Sequence, residues 1–226
     1  MPVVALAEAA LAAGRLRLAL QPVRPAARPD LLAFEEALAR VEGPEGPLSA
    51  ALFVPALEAE GRAPALDRAA LSAALALLAR RPATRLSVNL SAATLGDAAW
   101  FATLEAAPAR DARRLIVELT ETRPADPALA CMARARIAAT GAAFALDDYG
   151  AGHADAAAAR ALRPDVLKLD AGLPGSRLPE ALALAAELDA MTVAEGVTSP
   201  AQAAALARAG VDAVQGRWSG GPALAA

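Results

Sequence analysis

Asn89, Tyr149, His153 and Lys168 are each the only residue of their type in this chain. Each falls at or just past the carboxyl end of a short β-forming run, and so do Glu36, Glu118, Asp147, Asp148, Asp170, Glu195 and Gln215. From Asn89 onward, positions 89, 118, 147, 168, 195 and 215 are separated by 29, 29, 21, 27 and 20 residues, about one strand-plus-helix unit each. Such spacing gathers acidic and amide oxygens around one ammonium. Carboxylates crowded in this way repel one another and partly protonate unless a cation neutralises them. An oxygen-rich set with no cysteine and no histidine pair suits a hard ion, Mg²⁺ or Mn²⁺, better than structural zinc. Two such ions would activate a water and stabilise both the attacking and the leaving oxygen of a phosphoryl transfer.

Lys168 stands apart because every other basic side chain is arginine or the single histidine. An ammonium is a compact charge with a tunable pKa, whereas a guanidinium is a planar fork that stays charged. Its expected task is to position or polarise the water, or to offset phosphate charge. The competing reading is a set of interior ion pairs, Lys168 with Asp170 or Asp148. One lysine cannot neutralise so many acids, and an unpaired buried charge costs on the order of several kcal/mol.

Eight runs carry strand character: 16–22, 31–41, 84–91, 113–121, 142–150, 165–170, 191–196 and 211–216. Helical stretches lie between them at 66–81, 97–107, 127–139, 154–162, 179–189 and 200–209. Pro127, Pro179 and Pro200 mark first turns, and Gly141 and Gly210 mark helix stops. Within strands, side chains two apart share a face, so Lys168 and Asp170 point inward while Leu167 and Leu169 meet helices. Asn89 likewise shares a face with Ser87 and Ser91. The strand, helix, strand rhythm from the third strand onward predicts parallel βαβ units closing into a barrel, whose active sites lie at the carboxyl ends of the strands. Only a short proline- and arginine-rich segment joins the first two strands, which are expected to pair as an antiparallel hairpin. The predicted fold is therefore α/β, a modified TIM (β/α)8 barrel with an antiparallel first strand, formed by residues 1–226 as a single domain.

Composition narrows the function classes. The 226 residues are 56% hydrophobic but only 3% aromatic, so the core must be built from Leu, Val and many alanines. A net charge of −3 and a pI near 5.3 argue against a protein that coats DNA or RNA. With one cysteine there is no intramolecular disulfide, and Cys131 reads as a buried, inert thiol. The first residues lack a basic segment and carry Glu8, which suits a short helix rather than a signal peptide. The longest apolar stretch, 70–79, is too short to span a bilayer. The expectation is a cytoplasmic protein with no membrane or nucleic-acid partner. His153 reads as a loop residue, Tyr149 as packing or loop support, and Trp100 and Trp218 as core or rim.

Along essentially its whole length the chain resembles the EAL-domain family of cyclic di-GMP phosphodiesterases. The resemblance rests on FEEALAR at 34–40, QP at 21, VNLS at 88, ELTE at 118, DDYGAG at 147, KLD at 168, AEGV at 194 and QG at 215, all in family order. It implies hydrolysis of cyclic di-GMP to linear pGpG, with Glu36, Asn89, Glu118, Asp147, Asp148 and Glu195 holding two Mg²⁺ or Mn²⁺ ions. It implies a catalytic group of Lys168, Glu36 and Asp147, in which Lys168 assists the water. Gln21, Arg40, Gln215 and Asp170 would contact the ligand or support the site, and Glu121 would steady the loop after the fifth predicted strand, 142–150. A homodimer is also implied. Four departures stand out: Thr198 where a second acid is usual, Arg217 where an aromatic is common, Glu35 where a small residue is usual, and the loop AGHADA. They motivate the alternative of a catalytically silent receptor for the dinucleotide, or a scaffold for a protein partner.

Overall fold

Helix ends are written into the sequence, and they set where each strand can begin. The computed structural model describes residues 3–43, 46–120, 126–150 and 155–225. In chain order the elements are α1 (Val3–Ala12), β1 (Leu16–Pro25), β2 (Phe34–Gly43), β3 (Gly46–Ser49), α2 (Ala50–Ala59), α3 (Ala63–Arg80) and β4 (Leu86–Ser91). Then follow α4 (Ala98–Glu105), α5 (Ala109–Ala112), β5 (Leu115–Thr120), α6 (Pro127–Thr140), β6 (Ala143–Tyr149) and α7 (Ala156–Leu162). The chain closes with β7 (Val166–Leu169), α8 (Leu178–Leu188), β8 (Met191–Ala194), α9 (Pro200–Ala209), β9 (Ala213–Val214) and β10 (Ala223–Leu224).

The caps explain the rhythm. Asp126 accepts from the amides of Ala128 and Leu129 at 2.8 and 3.1 Å, directly before Pro127 opens α6. Asp155 and Ser199 cap α7 and α9 in the same way, which satisfies otherwise orphaned N–H groups at each helix start. Gly141 and Gly210 end α6 and α9 in the left-handed conformation, as the sequence predicts.

Eight strands close a mixed barrel in the order β1, β2, β4, β5, β6, β7, β8, β9. β1 is antiparallel to both neighbours, pairing Gln21 with Glu36 and Val23 with Phe34 on β2, and Arg24 with Val214 on β9. Every other barrel pairing is parallel. All eight predicted strands are present. The sequence reading missed β3, β10 and α2, which hang from the barrel rather than close it. β3 and β10 are four and two residues long, and α2 carries Pro55 in its interior.

Side chains pointing out of the barrel, such as Val88, Leu90, Val117, Leu119, Leu167 and Leu169, pack with the helices in the main apolar core. Complete burial of a Leu or Val side chain contributes about 1.5–3 kcal/mol, so this shell of leucines and alanines carries much of the folding energy. Inside the barrel, Val23, Phe34, Ile116, Ala145, Val166, Val193 and Ala213 form a separate apolar cluster. Among the described residues no helix is long and apolar enough to cross a membrane. Cys131 is exposed rather than buried, because α6 turns Ala130, Ala133 and Ile137 inward.

Candidate active site

Two residues beyond each member of the apolar interior cluster, the alternation of the strand returns the chain to the barrel interior. On six strands this gives Phe34 then Glu36, Ile116 then Glu118, Ala145 then Asp147, Val166 then Lys168, Val193 then Glu195, and Ala213 then Gln215. β4 contributes Ser87 then Asn89. The reversed β1 contributes Gln21 before Val23. The barrel therefore holds an apolar layer below and a polar layer at its carboxyl mouth.

Lys168 lies at the centre of the polar layer, 1% exposed. Its Nζ is 2.8 Å from Glu118 Oε2, 2.9 Å from Asp147 Oδ1 and 2.8 Å from Glu195 Oε1, with Glu36 Oε2 at 3.9 Å. The three close contacts match the three N–H donors of an ammonium. Glu36 is clamped from both sides: Asn89 Nδ2 donates to Oε1 at 3.1 Å and Gln215 Nε2 to Oε2 at 2.5 Å. These contacts differ from the simple pairing of Lys168 with Asp170 or Asp148.

Charge remains unbalanced. Burial drives the Glu118 carboxyl up to about 8, assisted by Glu36 and Asp147 and only partly opposed by Lys168. Burial and the neighbouring Asp147 and Glu36 raise Glu195 to about 7. Asp148 is raised as well, by burial and by Asp147. Burial would also raise Glu36, but Lys168, the two amide donors and Arg40 together hold it below the usual carboxylate range. Burial disfavours the charged form of Lys168, yet its carboxylate neighbours overcome this and push its pKa well above that of a free lysine. One ammonium is too little positive charge for this many carboxylates.

The backbone of β6 adds one more carboxylate to the mouth. Its register with β7 shifts between Leu146 and Tyr149, and Asp148 adopts φ 55. Consecutive strand residues normally point to opposite faces, and a bulge breaks that rule. Here Asp147 and Asp148 face the same region, and together with Glu195 they offer oxygens within 4.8 Å of one another. A left-handed aspartate costs roughly 1–2 kcal/mol, strain of the kind held at functional sites. Glu118 Oε1 and Gln215 Oε1 are buried acceptors with no hydrogen-bond partner among the described residues. Unpartnered oxygens, raised carboxyl pKa values and an all-oxygen donor set fit hard divalent cations.

Two recesses are lined in part by residues of the polar layer. One, a cavity of 270 Å³, runs from Asn89 and Asp148 along Leu38, Val54 and Pro55, with Glu58 and Asp67 in its lining. The other, of 340 Å³, is lined by Gln21, Glu36, Glu195, Thr198, Gln215 and Arg217. Asn89 and Asp148 line the first, and Glu36, Glu195 and Gln215 line the second.

The remaining sequence candidates are distributed as follows. Gln21 faces the second recess, with its amide 3.5 Å from the Gly220 carbonyl. Arg40 is half-buried above Glu36 and donates to the Ala39 carbonyl at 2.8 Å. Asp170 lies beyond Lys168 on β7, and its carboxylate accepts from the Gly172 amide at 2.6 Å instead of joining the Lys168 cluster. Ser91 turns towards α3 rather than the mouth. Glu121 and His153 lie outside the described residues. Tyr149 and Trp100 are buried, and Trp218 is half-buried. The sequence reading missed Asp67, which accepts from Ser91 N, Ser91 Oγ and Thr94 Oγ1 at 2.9, 2.7 and 2.6 Å and so ties α3 to the end of β4. Its signal was available, because it is the lone acid in the run 66–81.

Residues 4–222 match the family profile of the EAL domain. A probable cyclic di-GMP phosphodiesterase, PdeN, of Escherichia coli (strain K12) is 32% identical over 118 residues, covering 48% of this chain and 23% of its own length. An uncharacterized protein of Azorhizobium caulinodans is 31% identical over 223 residues, covering 89% of this chain and 30% of its own. The chain thus spans less than a third of the length of either curated relative. Among solved structures, the PaMucR phosphodiesterase in complex with c-di-GMP superposes with a TM-score of 0.84 at 27% identity, covering 99% of this chain and 98% of that one. An EAL domain protein from Listeria monocytogenes EGD-e shares the fold, with a TM-score of 0.84 at 20% identity over 97% of this chain and 93% of its own.

Proposed function

The chain belongs to the EAL domain family, and on that premise we propose that it is a metal-dependent phosphodiesterase that opens cyclic di-GMP to linear pGpG in bacterial second-messenger signalling. The observation that carries this reading is the polar layer itself, in which clustered carboxylates surround Lys168 and two amides hold Glu36, with recesses opening beside it. A cyclic dinucleotide has a base on each side of its phosphates, and the paired recesses suit that shape. The c-di-GMP complex of PaMucR, similar to this chain over nearly its whole length, supports the same ligand.

Glu36, Asn89, Glu118, Asp147, Asp148 and Glu195 would hold two Mg²⁺ or Mn²⁺ ions. When bound, such ions supply Lewis-acid activation of water and neutralise charge on a transferring phosphoryl group. Asn89 and Gln215 fix the Glu36 carboxylate from opposite sides, so its lone pairs are aimed before the ligand arrives. The Lys168 ammonium is held by its three carboxylates and presents fixed positive charge to the phosphate and the entering water. Arg40 and Gln21 would contact the ligand above this floor. A water oxygen forms the new bond to phosphorus, one P–O3′ bond breaks, and the 3′ oxygen leaves with a proton. Asp170 and Glu121 are assigned supporting roles in the loops. The same proposal takes residues 1–226 as one barrel domain of a cytoplasmic, homodimeric protein.

The alternative is a silent receptor for the dinucleotide, favoured by a loop after β8 that ends in exposed Thr198 rather than an acid. Incubation with cyclic di-GMP and either Mg²⁺, Mn²⁺ or a chelator, followed by chromatography of the nucleotides, separates the two. Metal-dependent pGpG is the expected result. Tight binding with no product under any metal would establish the receptor.

A further inference from the structure

The second recess contains a cation that the reaction described above leaves unused. Arg217 is exposed and has no ion-pair or hydrogen-bond partner among the described residues, although it lines a recess shared with Glu36 and Glu195. Its backbone is held firmly. The Val197 amide donates to the Gln215 carbonyl at 2.9 Å, the Trp218 amide to the Val197 carbonyl at 3.1 Å and the Gly216 amide to Ser219 Oγ at 2.9 Å. A Cβ on Gly216 would fall 2.2 Å from the Val197 oxygen, so only glycine lets the two segments lie this close. Trp218 packs on the cluster of Ala26, Val197, Ala203 and Val214. A guanidinium with no partner is therefore displayed from a rigid turn, the arrangement expected of a recognition group rather than of a surface charge.

Resting on the cyclic di-GMP reading, we infer that Arg217 is a specificity-determining residue that reads the O6/N7 acceptor edge of one guanine. The phosphates must lie over the polar layer, where the cations gather, which places a base outward in the recess beside Arg217. A guanidinium matches guanine O6 and N7 with two parallel hydrogen bonds, and adenine offers a donor where guanine has O6. Among the described residues the lining of the first recess has no such cation and carries Glu58 and Asp67 instead. The two bases are thus met by different chemistry, and the acceptor edge is read in the second recess.

The test is steady-state kinetics on cyclic di-GMP and cyclic di-AMP with the wild type, R217A and R217K, with circular dichroism to confirm folding. For R217A the expected result is a rise in KM for cyclic di-GMP of about 10- to 100-fold with kcat within about twofold, while cyclic di-AMP hardly responds. R217K should recover only part of the loss, because an ammonium cannot make the paired contact. Equal weakening toward both dinucleotides would make Arg217 a phosphate contact and overturn the base assignment. An unchanged KM would remove Arg217 from the site altogether. A wild-type protein that acts on neither dinucleotide would instead refute the phosphodiesterase reading on which this inference rests.

Discussion

The two layers inside the barrel are built by the same strands, two residues apart, yet they have opposite chemistry. The lower layer, with Phe34, Ile116, Val166 and Val193, is an apolar plug that stabilises the fold by burial. The upper layer, with Glu36, Glu118, Asp147 and Lys168 buried and Glu195 half-buried, holds charge that burial opposes. One layer makes the barrel and the other loads it. The fold can carry a costly site because the layer beneath it and the alanine–leucine shell outside it are complete.

Substitutions in the two layers should separate stability from chemistry. Glu36→Ala should cut metal-dependent turnover by about 10³-fold or more, since it removes a carboxylate from the group proposed to organise transition-state charge. Its folded state should survive, which circular dichroism and product chromatography would check together. Phe34→Ala should do the reverse, costing about 3–5 kcal/mol of stability in urea titration while leaving kcat of the folded fraction within a few-fold. A Phe34 variant with full stability but no turnover would erase the distinction between the layers.

Subtler changes sharpen the comparison. Glu118→Gln keeps an acceptor for Lys168 and removes one crowded charge, so the metal-free protein at pH 8 should melt higher, by roughly 2–4 °C for each kcal/mol of relief. Mn²⁺ should raise the melting temperature of the wild type, and the same variant should lose most of that gain. The pH dependence follows from the same groups. Glu118 and Glu195 bind protons more tightly folded than unfolded, at about 8 and about 7. Between the ordinary carboxyl range and pH 8 the folded state therefore holds more protons, and stability of the metal-free protein falls as pH rises. Thermal melts from pH 5.5 to 8 in chelator should show that decline, and Mn²⁺ should abolish it. The smallest effect is expected at Asp170, whose carboxylate serves its own turn. Asp170→Asn should shift melting by about 1–2 °C and turnover by only a few-fold.

The barrel strands were legible because alternation and turn chemistry agree along them, and the inward register of Lys168 and Asn89 followed from the two-residue period alone. The antiparallel start was legible because no crossover helix fits between β1 and β2. Other features left weaker traces. α2 was hidden by Pro55, and β3 and β10 are too short to show a period. Cys131 was placed on the wrong side of α6 because that helix has small apolar residues all around and its sequence does not say which face is covered. The bulge that turns Asp148 toward Asp147 depends on a backbone angle, and two adjacent acids in a strand otherwise imply opposite faces. The clamp on Glu36 joins residues from β2, β4 and the segment just past β9, a meeting that only barrel closure creates.

The measurement that bears most directly on the polar layer is calorimetric titration of Mn²⁺ into chelator-treated protein at pH 7, repeated in two buffers of different ionisation enthalpy. A cation-binding layer predicts two ions per chain with release of protons, because Glu118 and Glu195 must give theirs up to become ligands. No uptake at millimolar Mn²⁺, or uptake with no proton release that persists in Glu36→Ala, would contradict it.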